Sequence, residues 1–316
     1  MALTLTELQA MTDYYYTPGV YDIFFKGNVL LYKLMGGETG SKTIGGGKKI
    51  KVDLEYAAAN SGSYGNTTLL PINKKEIFNS AFYGWSAYYS GVTVDLEDQR
   101  QNSGEAALVN LVQGKLKNAQ KSIRTDMGTD IYASNALDAT QFNGLADMLD
   151  TTTSTAYGEI KEDDMALWKA NQTAKSEAIS FKLLQLLRRT AALDDTDEAK
   201  PDLYITTDTL KDGFERTLQV QARYTDRALA NAGFDNILFG GRPIVQDNKV
   251  TSTRIYALNT KFLDILTHKD FNFTKPVWNS PIQQPDTKVA FIRWSGQLVC
   301  KNRKAHCLFT GVTEPS

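Results

Sequence analysis

Long apolar runs are missing from this chain. The longest nearly apolar stretch, VLLYKLM (Val29 to Met35), falls far short of the roughly 20 residues that a membrane-crossing helix needs. The N-terminal MALTLTELQAMTDYYYTPG has no basic n-region and no apolar segment of secretory length. These two absences lead us to expect a soluble protein made inside the cell. Cysteine is nearly absent too. Cys300 and Cys307 cannot form a disulfide framework, which suits a reducing compartment. His268 and His306 are the only histidines, so any Cys/His chemistry must draw on these four residues. A net charge of −1 leaves no overall basic field to recruit nucleic acid. There is no internal repeat and no low-complexity tract.

What is present is ample core. Hydrophobic residues make up 42% and aromatic residues 10% of 316 positions, so global disorder is excluded. The length exceeds a usual single domain and predicts two lobes or one elaborated fold. After a mixed N-terminal arm comes a glycine-dense loop, GGETGSKTIGGG (Gly36 to Gly47). In KKIKVDLEY, Ile50, Val52, Leu54 and Tyr56 alternate with polar residues, the pattern of a strand with one wet face. NSGSYGN interrupts at Asn60, Ser61, Gly62, Ser63, Tyr64, Gly65 and Asn66. A second alternation follows from Tyr88 to Leu96, with Val92, Val94 and Leu96 on one side. Together these predict a long extended ribbon whose glycine-rich tip has little to pack against. A ribbon of that kind is marginal alone, so it is expected to lean on another subunit.

The period then changes. Leu108, Val112, Leu116, Ala119, Ile123, Met127 and Ile131 step by three or four, which is helical spacing. Asn102 and Glu105 offer a capping box, and no proline occurs from Arg100 to Ala139. The expected helix has about 28 residues and a length of roughly 42 Å. Further on, Lys175 to Arg189 reads as an amphipathic helix with its arginines at the C-terminal end. PDLYITT (Pro201 to Thr207) reads as a buried strand, and Asp208 as the cap of a helix running through TLKDGFERTLQVQARY. KVAFIRWSGQLVC and HCLFTGV around the turn KNRK read most simply as a strand pair.

Several motifs tempt towards chemistry. GGETGSKT (Gly36 to Thr43) approaches a P-loop, with Gly36, Lys42 and Thr43 in place, but Ser41 stands at the second glycine. The following IGGGKKIKV is not a helix, so the anion site would lose its dipole and donors; a loop is the favoured reading. Cys300, His306 and Cys307 match no standard zinc spacing, and buried cysteine is usually a small hydrophobe. Lys117, Lys121 and Arg124 share one face of the long helix, with Lys115 nearby. They make either a solvated face or a non-specific phosphate contact. The loop with Asp194, Asp195, Asp197 and Glu198 reads as a solvated turn rather than a metal site. In RALANAGFDNILFGGRPIVQD (Arg227 to Asp247) the adjacent glycines do not fit a dinucleotide fingerprint. We expect a helix ending at Gly233 and then a hairpin turning at Gly240-Gly241, with Pro243 near the start of a strand.

QARYTDRALANAGFDNILFGGRPIVQD, followed by an ALNTKFL strand and preceded by NGLADMLDTTTSTAYGEI and Trp168, resembles the major capsid proteins of tailed bacteriophages. These share the shell fold first described for the Hong Kong phage ninety-seven. Motif likeness runs from about Asn143 to His268, and element order fits nearly the whole chain. The resemblance implies an α+β shell fold with an N-terminal arm (1–47), an extended loop with adjoining strands (48–98) and a spine helix of a peripheral domain (99–140). An axial domain (141–272) and C-terminal strands returning to the peripheral domain (273–316) would complete it. It also implies no catalysis, no cofactor and no metal, with self-assembly into hexamers and pentamers of an icosahedral head in the virion, built in the host cytoplasm. Lys117, Lys121 and Arg124 would face packaged double-stranded DNA, Asn60 to Asn66 would touch a neighbouring subunit, and Asp194, Asp195 and Asp197 would lie near a capsomer axis. With the ribbon starting near Lys48, little room is left for a fused scaffolding segment, so a separate scaffolding protein is expected, with a portal and decoration proteins as further partners. Two other readings remain: an encapsulin-like nanocompartment shell, and a P-loop nucleotide hydrolase using Lys42 and Thr43.

Overall fold

The computed structural model describes residues 28–36, 42–57, 59–66, 69, 73–101, 105–136, 138–152, 155–165, 168–194, 196–218, 236–284 and 286–315, together with 6, 7 and 10. The helix expected to end at Gly233, the capping residue Asn102 and most of the N-terminal arm lie outside these residues.

A 26-residue helix, α1 (Glu105–Asp130), is the longest described element, about 39 Å at 1.5 Å per residue. Val112, Leu116, Ala119, Ile123 and Met127 on it are buried, as is Ile131 just past its end, so the three-and-four spacing in the sequence marks the face that packs. Against it lies a four-stranded sheet in the order β1 (Lys42–Ile44), β10 (Leu263–His268), β11 (Thr287–Cys300) and β4 (Ser86–Asp95). Val92 and Val94 of β4 and Ala290 and Ile292 of β11 share the core of the spine helix. Alternate residues on the same strands, Tyr89, Phe291 and Arg293, are exposed, as a period of two requires.

The second sheet has six strands in the order β5 (Gln172–Ala174), β12 (Cys307–Thr310), β9 (Ile255–Leu258), β6 (Leu203–Thr206), β8 (Arg242–Gln246) and β7 (Asn236–Phe239). It is covered on both faces. Leu203, Ile205, Tyr256 and Leu308 join the core shared with the spine helix. Tyr204, Ala257 and Phe309 face a second core with α2 (Phe181–Ala191) and α3 (Asp208–Thr217). Burial on both faces explains why LYIT and IYAL are continuous apolar runs instead of alternating ones.

Several expectations are corrected. The ribbon returns through β3 (Phe78–Tyr83), which pairs with β2 (Ile50–Glu55) from Ile50↔Tyr83 to Glu55↔Phe78. The Tyr88 to Leu96 stretch instead pairs with β11, and Leu96 opens a short helix. The strands flanking KNRK do not pair with each other. A 3-10 turn, Arg303–Ala305, buries Arg303 and sends the chain from one sheet into the other. The helix expected from Lys175 starts at Phe181, capped by Ser180, because Lys175 and Ile179 spend their N–H groups on Thr310 and Thr313. Thr207, not Asp208, holds the cap position of α3, which stops at Thr217 with Leu218 extended.

Candidate assembly surfaces

The nucleotide reading fails on geometry. Lys42 and Thr43 lie in β1, paired in parallel with β10, and no helix follows before β2. Lys42 Nζ is bound to Asp264 Oδ1 at 2.6 Å, and Lys301 Nζ holds Asp264 Oδ2 at 2.7 Å. Burial pushes the Asp264 carboxyl up, but the hydrogen bonds from Lys301 and Lys42 outweigh it and hold the group below the usual range. A lysine occupied in this way does not cradle phosphate. Residues 37–41 of the motif lie outside the described residues.

The cysteines and His306 are core. Cys300 and Cys307 sit in different sheets, and burial raises both thiols to about 12, which leaves them inert as nucleophiles. His306 is buried, its Nδ1 accepts from Asn259 N at 3.2 Å, and burial lowers its imidazole to about 3. Among the described residues no group of three or more His, Cys, Asp or Glu could hold a metal ion. Gly240 and Gly241, at φ +57° and +79°, make the two-residue turn that joins β7 to β8. Both central residues of such a turn need positive φ. Pro243 faces Leu238, one step from the closing Phe239↔Arg242 pair, where alternation calls for no ladder donor.

The basic face of the spine helix is partly committed. Lys117 and Lys121 are exposed and Arg124 is half-buried. Lys115 is drawn away, donating to Thr93 O at 2.8 Å and pairing with Asp98. Its position beside β4 covers backbone at that sheet edge.

The described residues between β2 and β3, namely 56, 57, 59–66, 69 and 73–77, lie beyond the paired base of the ribbon. Asn60, Ser61, Gly62, Ser63, Tyr64, Gly65 and Asn66 are all exposed, with Tyr64 at 74% and Leu69 further on at 95%. The base is fixed, since Tyr83 Oη donates to Cys300 O at 2.9 Å and Phe82 N to Gly158 O at 3.0 Å. The acidic loop leaves α2 with Asp194 exposed and continues into a 3-10 turn, Asp197–Ala199, while Asp195 lies outside the described residues. Glu198 pairs with Lys261 at 3.0 Å. Sequence reasoning missed the buried Arg303 and its partners: Nε donates to Met148 O at 2.6 Å, Nη2 to Asp150 O at 2.7 Å, and Glu162 lies 3.6 Å away. Such partners, more than a hundred residues apart, leave no local pattern to read.

No protein-family model and no curated protein matches the chain. Solved structures do. The chain is similar to a subunit of the capsid of cyanophage A-1(L), with a TM-score of 0.73, 14% identity, and 95% of this chain and 96% of that one covered. It is also similar to the capsid of Myoviridae phage XM1, at a TM-score of 0.52 and 14% identity, covering 85% and 87%. The holo-SrpI encapsulin complex of Synechococcus elongatus gives 0.55 at 11% identity, covering 87% and 88%. The fold is therefore the tailed-phage shell fold, in its α+β form.

Proposed function

We propose that this chain is the major capsid protein of a tailed bacteriophage, a structural subunit without catalysis that assembles through hexamers and pentamers into an icosahedral head around double-stranded DNA. The observation that carries the reading is the match to a phage capsid subunit over 95% of the chain. It is joined by a ribbon whose tip, Asn60 to Asn66, spends its residues wholly in solvent. An isolated tip of this kind gains no burial, so a neighbouring subunit gives it a physical reason to exist.

In this role Lys117, Lys121 and Arg124 face the packaged DNA and neutralise phosphates without reading sequence. Asp194, Asp195 and Asp197 form a loop near a capsomer axis. A near-neutral chain suits close packing of many like subunits. A separate scaffolding protein, a portal and decoration proteins are the further partners, the virion is the site of function, and assembly occurs in the host cytoplasm. The likeness to an encapsulin supports a second reading, a nanocompartment that encloses enzymes; the larger TM-score with the cyanophage subunit favours the first.

Negative-stain electron microscopy of the concentrated protein, checked by sedimentation velocity, tests the reading. Closed shells, sheets or five- and six-membered rings support it, and nuclease-protected DNA inside shells separates capsid from nanocompartment. A chain that stays monomeric at every concentration, with or without co-expressed scaffolding protein, overturns it.

A further inference from the structure

The face of the four-stranded sheet turned away from the spine helix holds a concavity of about 590 Å³. Its floor is two small residues, Ala87 of β4 and Ser295 of β11, which lie directly opposite each other. Large rings stand around them. On one side Trp85, His268 and Phe271 form a chain of edge-to-face contacts, with centroids 5.4 and 5.3 Å apart. On the other side Tyr89 meets Phe291 edge-on at 6.2 Å, and Tyr89 keeps 71% of its surface in solvent. Phe291 rests against Gly91, where an added Cβ would come within 3.3 Å of the ring. The walls are held by backbone. Ser295 N donates to Phe271 O and Thr274 N to Arg293 O, both at 2.8 Å. Between these anchors Phe273 takes φ +48°, a conformation that a phenylalanine adopts only under constraint. With that turn Phe273 is buried against Trp294, while Phe271 stays in the wall of the concavity.

The polar groups of the lining narrow what can bind. Trp85 Nε1 already donates to Gly47 O at 2.8 Å, and Ser295 Oγ to Ser86 O at 3.0 Å. His268 Nδ1 accepts from Asp270 N at 3.1 Å. Arg293 is the one lysine, arginine, aspartate or glutamate in the lining. Its guanidinium lies 5.8 Å over the ring of Phe291 and makes no ion pair among the described residues. A sugar, or the base and ribose of a nucleotide, would bring several polar groups and leave most of them unpaired against these rings. An uncharged apolar body would gain nothing from the guanidinium. We propose that the concavity binds a small planar aromatic carboxylate, its ring against the aromatic walls and its carboxylate on Arg293. Offset and edge-to-face contacts favour a planar ring over an aliphatic one, and a guanidinium takes a carboxylate through two parallel hydrogen bonds. The volume lies within the usual range of small-ligand pockets. The inference holds whether or not the chain builds shells.

The test titrates naphthoate into the full chain by isothermal calorimetry, at concentrations below those that give shells. One saturable site per chain is expected. Naphthylmethanol keeps the ring without the charge, and cyclohexanecarboxylate keeps the charge without the planar ring. Each should bind about tenfold or more weakly than naphthoate, and so should adenosine monophosphate. Arg293→Met should erase the preference for naphthoate over the alcohol and leave the alcohol's own affinity in place. Ala87→Leu raises the floor and should abolish binding of both. Both substitutions fall at exposed positions, so thermal melts should match wild type; if Ala87→Leu melts early, Arg293→Met decides alone. Absence of saturable naphthoate binding would overturn the proposal. So would equal affinity for the alcohol, the aliphatic acid or adenosine monophosphate, or unchanged binding in a folded variant. None of these failures touches the capsid reading, which electron microscopy tests separately.

Discussion

Tyr132 donates its phenol to Asp247 Oδ2 at 2.9 Å, with both side chains buried. The bond ties the end of the spine helix to the residue that follows β8, so it couples the two sheets through one polar contact inside an apolar core. Burial pushes the Asp247 carboxyl up, and hydrogen bonds from Lys249 N and Tyr132 oppose that push. Tyr132→Phe removes one of the opposing donors and should cost about 1–3 kcal/mol. The sign with pH follows from the raised folded value. Stability from this group is present below the unfolded carboxylate range near 4 and is lost as pH rises through the folded value. The penalty of Tyr132→Phe should therefore be largest near neutral pH and shrink below about pH 4. Denaturant titrations at the two pH values check this, and an equal cost at both would refute it.

Asp264 behaves in the opposite sense. Its lowered carboxyl contributes stability that is present above the unfolded range and is lost as pH falls through the folded value. Lys42 is half-exposed, so Lys42→Met should cost only about 1 kcal/mol at neutral pH once solvent screening is counted. That cost should fade in acid. Thermal melts across pH test it. Added magnesium nucleotide should leave the melting temperature of wild type and variant unchanged, and a nucleotide shift lost in Lys42→Met would restore the hydrolase reading.

Elements with a local period were legible in the sequence. The spine helix came from its three-and-four spacing, β2 from its alternation, and the hairpin from paired glycines that need positive φ. The rest depended on distant partners. The phosphate reading of Lys42, already disfavoured by Ser41 and the missing helix, could not be closed from the sequence because its partner, Asp264, lies 222 residues away. The return strand Phe78–Tyr83 was overlooked because Asn79 and Ser80 break its apolar alternation. The C-terminal strands looked like a hairpin because only the buried Arg303 reveals that the chain crosses between sheets. For the surfaces, exposure of the tip could be inferred from glycine and serine, but the exposed row of Tyr89, Phe291 and Arg293 required the strand register.

Arg303 holds that crossing. Arg303 is 1% exposed, and its guanidinium binds the carbonyls of Met148 and Asp150 and stacks 5.2 Å over the ring of Tyr157. Arg303→Met should cost about 3–5 kcal/mol, because the nearby buried Glu162 would lose its cation. Adding Glu162→Gln should recover part of that loss. Urea titrations of the single and double variants check the coupling, and additive losses would mean that the pair acts through packing alone.

Lys117 and Lys121 point to a different readout, because exposed lysines add little to stability. Lys117→Glu with Lys121→Glu should leave the fold and empty shells intact while weakening genome retention, more so at higher salt. Quantifying nuclease-protected DNA per particle tests this. Normal DNA content at every salt concentration would assign the two lysines to a solvated face.

The ribbon tip allows folding and assembly to be separated in one variant. Asn60 to Asn66 are exposed throughout, and the base of the ribbon is held independently by Tyr83 and Phe82. Deleting 60–66 removes no core contact, so the change in stability should stay within about 0.5 kcal/mol, as for surface changes in general. Assembly should respond differently, because a shell contact made by the tip is lost from every subunit at once and its cost multiplies across the lattice. The deletion should therefore melt like wild type yet fail to close shells in electron micrographs. A variant that melts early would show that the tip packs on its own chain. Unaltered shells would show that the tip is dispensable for closure.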